Sequence, residues 1–152
     1  MAEANKTSPT VPFLSMWTTP EGLSSIGPSE LRNFVQGSVG GKASPLWMKE
    51  MPGRVEKVLF NVMEVGWEGE WHESPKPQWI VPLSGRWFIE TQDGTRVEMG
   101  PGDIHWGQDL DTRDVDGNIG HRSGQVGPDA CVQLMVQFAE PHNTGAIHPF
   151  DS

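Results

Sequence analysis

An all-β fold of the sandwich or barrel class is what this sequence predicts, and three observations carry the prediction. From Arg54 onward, short runs of alternating apolar and polar residues follow one another at close spacing. Turn residues separate them, most clearly "QDGT" at 92–95 and "GPGD" at 100–103. Alternation with period two sends successive side chains to opposite faces of a strand, and regular turn signals mark the reversals. The single helix candidate is short: "PSELRNF" at 28–34, with Ser29 as a cap after Pro28.

The elements follow in order. Residues 1–12 are polar and proline-bearing and are expected to form a flexible N-terminus. Residues 13–53 are rich in Gly, Ser and Pro and read as an irregular arm holding the short helix and at most one short strand. Strands are expected at 54–65, 78–85, 86–92, 95–100, 103–108, 120–126 and 130–138. Asp93-Gly94 predicts a tight primed hairpin turn, because such turns need φ > 0. Pro82 removes a ladder donor, so it belongs at an edge or a bulge. The loop "DLDTRDVDGNIG" (109–120) is acidic and Gly-rich and has the length of a lid or rim. Residues 139–152, with His142 and His148, read as a C-terminal strap. In the last strand Val132, Leu134, Val136 and Phe138 form an apolar face, and Gln133, Met135 and Gln137 a mixed one. That mixed face either meets water or lines a cavity.

Composition narrows the function classes. A chain of 152 residues suits one domain with a sizeable core, and seven Trp and six Phe supply large buried areas. The formal net charge of −9 argues against nucleic acid or an anionic membrane surface as partner, since both call for basic patches. No stretch reaches the ~20 apolar residues of a membrane span. The lone Cys131 excludes an internal disulfide framework and reads as a small buried hydrophobe. "NKT" at Asn5 matches a glycosylation acceptor, but the opening residues lack the basic-then-apolar signal pattern. With the single thiol, this leads to the expectation of a cytoplasmic protein.

The stretch from His72 to Phe138 resembles the cupin family. The first cupin motif runs G-x5-H-x-H-x(3,4)-E-x6-G. Counting back from Gly85 places Gln78 at the glutamate, Ser74 at the second histidine and His72 at the first. "PGDIHWGQD" resembles the opening of the second motif, and after an insertion "GHRS" brings His121. A subgroup of cupin-like proteins shows a similar layout of His, then Pro and Gln before "LSG", then "PGD", an acidic stretch and "GH". The resemblance covers the C-terminal two-thirds of the chain. It implies a single jelly-roll (double-stranded β-helix) barrel over 54–138. It also implies a homodimer, with the arm 13–53 packed on its own barrel or on the partner.

The residues leave three readings. The family's usual site holds a divalent transition metal through three His and one Glu, and here His72, Gln78 and His121 would be the ligands. A neutral amide is a weak donor to such metals, so the change of Glu to Gln and of His to Ser favours a site with no cofactor. Two imidazoles can then act as general acid and base, with Gln78 as an orienting donor. The expected reaction is non-redox, that of a lyase, isomerase, epimerase or cyclase acting on a small apolar or aromatic ring-bearing substrate. Trp71, Ile80, Trp87, His105, Trp106, Gln133 and Met135 are the expected substrate-binding residues. The third reading is a non-catalytic small-molecule binding domain.

Overall fold

A computed structural model describes residues 7–151. Among them the regular elements are all strands: β1 (Val11–Thr18), β2 (Ser24–Leu31), β3 (Val35–Gly37), β4 (Leu46–Met48), β5 (Val55–Met63), β6 (Gln78–Ser84), β7 (Arg86–Thr91), β8 (Arg96–Met99), β9 (His105–Gly107), β10 (His121–Val126) and β11 (Cys131–Phe138). Asn5 and half of the expected flexible N-terminus lie outside the described residues. No described helix is long and apolar enough to cross a membrane.

Six strands form one sheet in the order β2-β1-β9-β6-β11-β5, and three form a second in the order β10-β7-β8. All pairs are antiparallel except β1 with β9. β3 and β4 make a separate two-stranded hairpin. Among the described residues no ladder closes the two larger sheets into the single barrel that the sequence predicts.

Two apolar clusters flank the six-stranded sheet. Met16, Ile26, Met63, Ile80 and Cys131 from this sheet meet Trp87, Ile89 and Met99 from the three-stranded one. Phe13, Leu31, Trp79, Trp106 and Phe138 point the other way and are joined by Phe150 of the C-terminal strap. Neighbours in sequence such as Trp79 and Ile80 therefore serve different clusters, as strand alternation requires. Burial on both faces also explains why β6 reads as an almost continuous apolar run. At the far edge, Val58, Phe60 and Val62 of β5 remain exposed.

Several expectations need correction. Residues 28–34 are not helical: Pro28 to Leu31 end strand β2. Residues 13–31 are not an irregular arm, because β1 and β2 make up a third of the main sheet and place Phe13, Met16 and Ile26 in its clusters. β2 is an edge strand, where a proline is tolerated, so "SSIGPSEL" has the composition of a loop and the geometry of a strand. The β7–β8 hairpin is present, but only Gly94 has φ > 0 and Thr91 N–H donates to the Thr95 carbonyl, a wider turn than the primed type.

Other expectations correspond to the structure directly. β11 pairs Val132 with Ser84 and then Gln133 with Pro82, so Leu83 bulges out beside the proline. Gly85 has φ +74°, and a Cβ there would overlap the Ala130 carbonyl, which accounts for the glycine of "LSG". The mixed face of β11 turns inward, where Gln133 and Met135 line a cavity and Gln137 bonds Gln78.

The strap's contribution can be measured. Phe150 is buried against Phe13, Trp79 and Trp106. Phe150→Ala should cost about 3 kcal/mol, read as a lower urea midpoint at unchanged slope. A loss under about 1 kcal/mol would mean that the strap does not seal this cluster.

Candidate functional site

The site forms where the 64–77 connection runs back beside β10. Gly69 N–H donates to the Ser123 carbonyl, and Gln125 N–H donates to the Trp67 carbonyl. Further along the same two segments His72 and His121 exchange both backbone hydrogen bonds, at 2.8 and 2.9 Å. An antiparallel pair of this kind sends both side chains to the same face. The two imidazole rings accordingly lie 4.7 Å apart between centroids. Gly120 makes the approach feasible: a Cβ there would overlap the His72 carbonyl, and its φ is +65°.

Each imidazole is fixed through Nδ1. His121, only 5% exposed, places Nδ1 2.6 Å from Oδ2 of Asp109. Asp109 has no exposed surface, and its Oδ1 accepts from the Ser74 amide (3.0 Å) and the Ser74 hydroxyl (2.7 Å). His72 sits at the rim, with Nδ1 2.7 Å from the Glu70 carbonyl. A carboxylate and a carbonyl can only accept, so Nδ1 carries the proton in both rings and Nε2 is left for a ligand.

Gln78 is buried, and its Oε1 accepts from Gln137 Nε2 at 2.9 Å. Its own NH2 group remains a donor at the cavity wall. The cavity has a volume of about 260 Å³ and is lined by His72, Gln78 and His121 together with Ile80, Trp87, Gln133 and Met135. A wider groove of about 630 Å³ lies between residues 49–53 and the strap, with Phe150 at its wall. The smaller cavity is the stronger candidate, because buried polar groups converge only on it.

Three expected substrate contacts lie elsewhere. Trp106 is on the outer side of its strand, within the Trp79–Phe138–Phe150 cluster. Trp71 lines a separate surface groove with Val115 and Asn118. His105 is wholly buried behind the cavity, edge-on to Trp87, with Nδ1 3.1 Å from the Leu14 carbonyl. In the other direction, Asn61, Met63, Trp67 and Ser123 line the cavity without having been read from the sequence. Asp109 was also missed, since it was read only as part of an acidic loop.

That loop is pinned rather than free as a lid. Glu73 Oε2 accepts from both the amide and the hydroxyl of Thr112, at 2.7 Å each. Thr18 donates to the Leu110 carbonyl, and Gln92 donates to the carbonyls of Arg113 and Asn118.

The donor set can be tested against the metal that the resemblance implies. Among the described residues no three His, Cys, Asp or Glu side chains are grouped to hold a metal ion. Asp109 is committed to His121 and Ser74, and the Glu73 Oε2 to Thr112. Two imidazoles and an amide do not reproduce three His and one Glu. No family model and no curated protein matches the chain.

The acid side of the stability profile follows from His105. Burial, reinforced by the neighbouring His121, lowers its pKa from 6.5 to about 3. The fold thus holds His105 neutral, while the unfolded chain protonates it. Because the folded pKa is depressed, stability is full above about 6.5 and is lost as pH falls toward about 3. The slope from this group is at most about 1.4 kcal/mol per pH unit. His105→Phe should flatten the profile of urea midpoint against pH in that window, and an unchanged profile would contradict the assignment.

Proposed function

We propose that this chain is a small jelly-roll protein of the cupin type whose cavity carries out a non-redox, acid–base reaction on a ring-bearing small molecule. The observation that carries the reading is the buried Asp109–His121 pair with the His72 ring beside it. It supports the lyase, isomerase, epimerase or cyclase class over the metal-dependent alternative, for which the donor set is too poor.

The roles follow from the geometry. His121 Nε2 is the base, because Asp109 holds the tautomer that frees it and stabilises the imidazolium formed on proton uptake. His72, at the rim, can exchange protons with water and returns one to the substrate. The Gln78 NH2 group donates to the oxygen on which charge develops, without bringing a charge of its own. Asp109 is a positioning residue and touches no substrate. Trp67 and Trp87 supply flat walls. At about 260 Å³ the cavity is slightly below the ~300–1,000 Å³ of drug-sized sites, which suits one ring or two small fused rings.

The test is turnover of small cyclic carbonyl compounds followed by substitution. His72→Ala and His121→Ala should each lower turnover at least ~100-fold, and His121→Ala should also lower the urea midpoint, because it takes a donor from the buried Asp109. Asp109→Asn should act through kcat more than KM and shift the pH–rate profile. Full turnover by both histidine variants would sink the acid–base assignment. Ligand binding without turnover of any compound would replace it with the binding-module reading.

A further inference from the structure

The outer face of the six-stranded sheet is covered at one end and bare at the other. Phe13, Trp79 and Trp106 lie under Phe150. Toward the β5 edge Phe60 is 68% exposed, and Val58 and Val62 are more than half exposed. The register sets each of them beside an outward, half-buried residue of β11: Leu134 beside Phe60, Val136 beside Val58 and Val132 beside Val62. Val81, which pairs with Leu134 from its other side, carries the strip onto β6, and the bulged Leu83 next to it is exposed. From Val58 to Val62 and from Val132 to Val136 every outward side chain is aliphatic or aromatic.

A solvated antiparallel strand ordinarily turns its apolar side in and its polar side out. β5 and β11 do the reverse. Asn61 and Gln133 point into the cavity, while Phe60 and Leu134 point away from it. An apolar patch of several hundred Å² is the size that marks an interaction site on a folded chain. It is also the size of the apolar centre of an interface to which each partner gives ~800 Å².

Charge selects the occupant. The chain carries a net charge of −9, so it repels its own copies through most of its surface and repels an anionic membrane as well. A strip without charge escapes that repulsion. Across a two-fold axis one patch faces itself, and a uniformly apolar patch is its own complement. We propose that a second copy of this chain packs on the strip, with β5 and β11 of one protomer stacked face to face on β5 and β11 of its partner, at the ~10 Å spacing of packed sheets. The cavity lies on the inner side of the same strands, so the interface is independent of the chemistry proposed there and supports the cavity wall from behind.

Sedimentation velocity of the intact chain tests the interface. At about 100 µM the chain should run at twice its 16.8 kDa mass, and its urea midpoint should rise with chain concentration. Phe60→Asp should weaken the dimer at least ~100-fold, because it buries a carboxylate without a partner, and should run as a monomer with unchanged circular dichroism. Val62→Asp should do the same, so that misfolding of one variant leaves the other to decide. Val39→Asp, at an exposed valine of the β3–β4 connection outside the strip, should leave the dimer intact. A wild-type monomer at that concentration, a dimer that survives both strip substitutions, or loss of the dimer in Val39→Asp would overturn the proposal. An open-ended series of larger species, formed through the free edge of β5, would overturn it too. So would a monomer that binds phosphatidylcholine vesicles through Phe60, which would assign the strip to lipid.

Discussion

A carboxylate with no exposed surface holds the site together. Burying the charge of Asp109 would cost several kcal/mol if it stood alone. Three donors offset that cost: the amide and hydroxyl of Ser74, and His121 Nδ1. Those bonds join the start of the 109–120 loop, the 64–77 connection and strand β10. The same bonds fix which nitrogen of His121 is free. Stability and chemistry thus depend on one set of contacts, and removing a donor would leave part of a buried charge unanswered.

The sheets place these groups by simple alternation. β10 and the 64–77 segment bring His72 and His121 to one side because they form a hydrogen-bonded antiparallel pair. β5 and β11 bring Asn61 and Gln133 side by side, and β7 brings Trp87 from the facing layer. The outer cluster under Phe150 packs against β6 and β9 behind the cavity.

The strands from Arg54 onward were legible because turn residues bound their runs, some of which alternate while β6 is apolar almost throughout. β2 was not, because an edge strand tolerates the Ser, Gly and Pro that otherwise mark loops, and the interior strand β1 was hidden beside it in the same Gly-, Ser- and Pro-rich stretch. The histidines and Gln78 were found through motif spacing, and Gln133 and Met135 through the mixed face of β11. Trp106 was misplaced because its phase depends on where a three-residue strand begins, which the sequence leaves open by one position. Asp109 left no local signal. It follows a short strand in a run of acidic residues, and only the third dimension separates the buried carboxylate from its solvated neighbours. Ser74 is the instructive case. At the place where the resemblance calls for a second histidine, its amide and hydroxyl hold the carboxylate that orients His121.

The central claim is that Asp109 fixes His121 with its proton on Nδ1 and its Nε2 free. Nitrogen-15 NMR of the imidazoles reads this directly. In its neutral form the His121 imidazole should show a protonated Nδ1 and an unprotonated Nε2, with the Nδ1 proton shifted far downfield, and Asp109→Asn should abolish that pattern. A His121 protonated on Nε2, or a pattern indifferent to Asp109→Asn, would contradict the account.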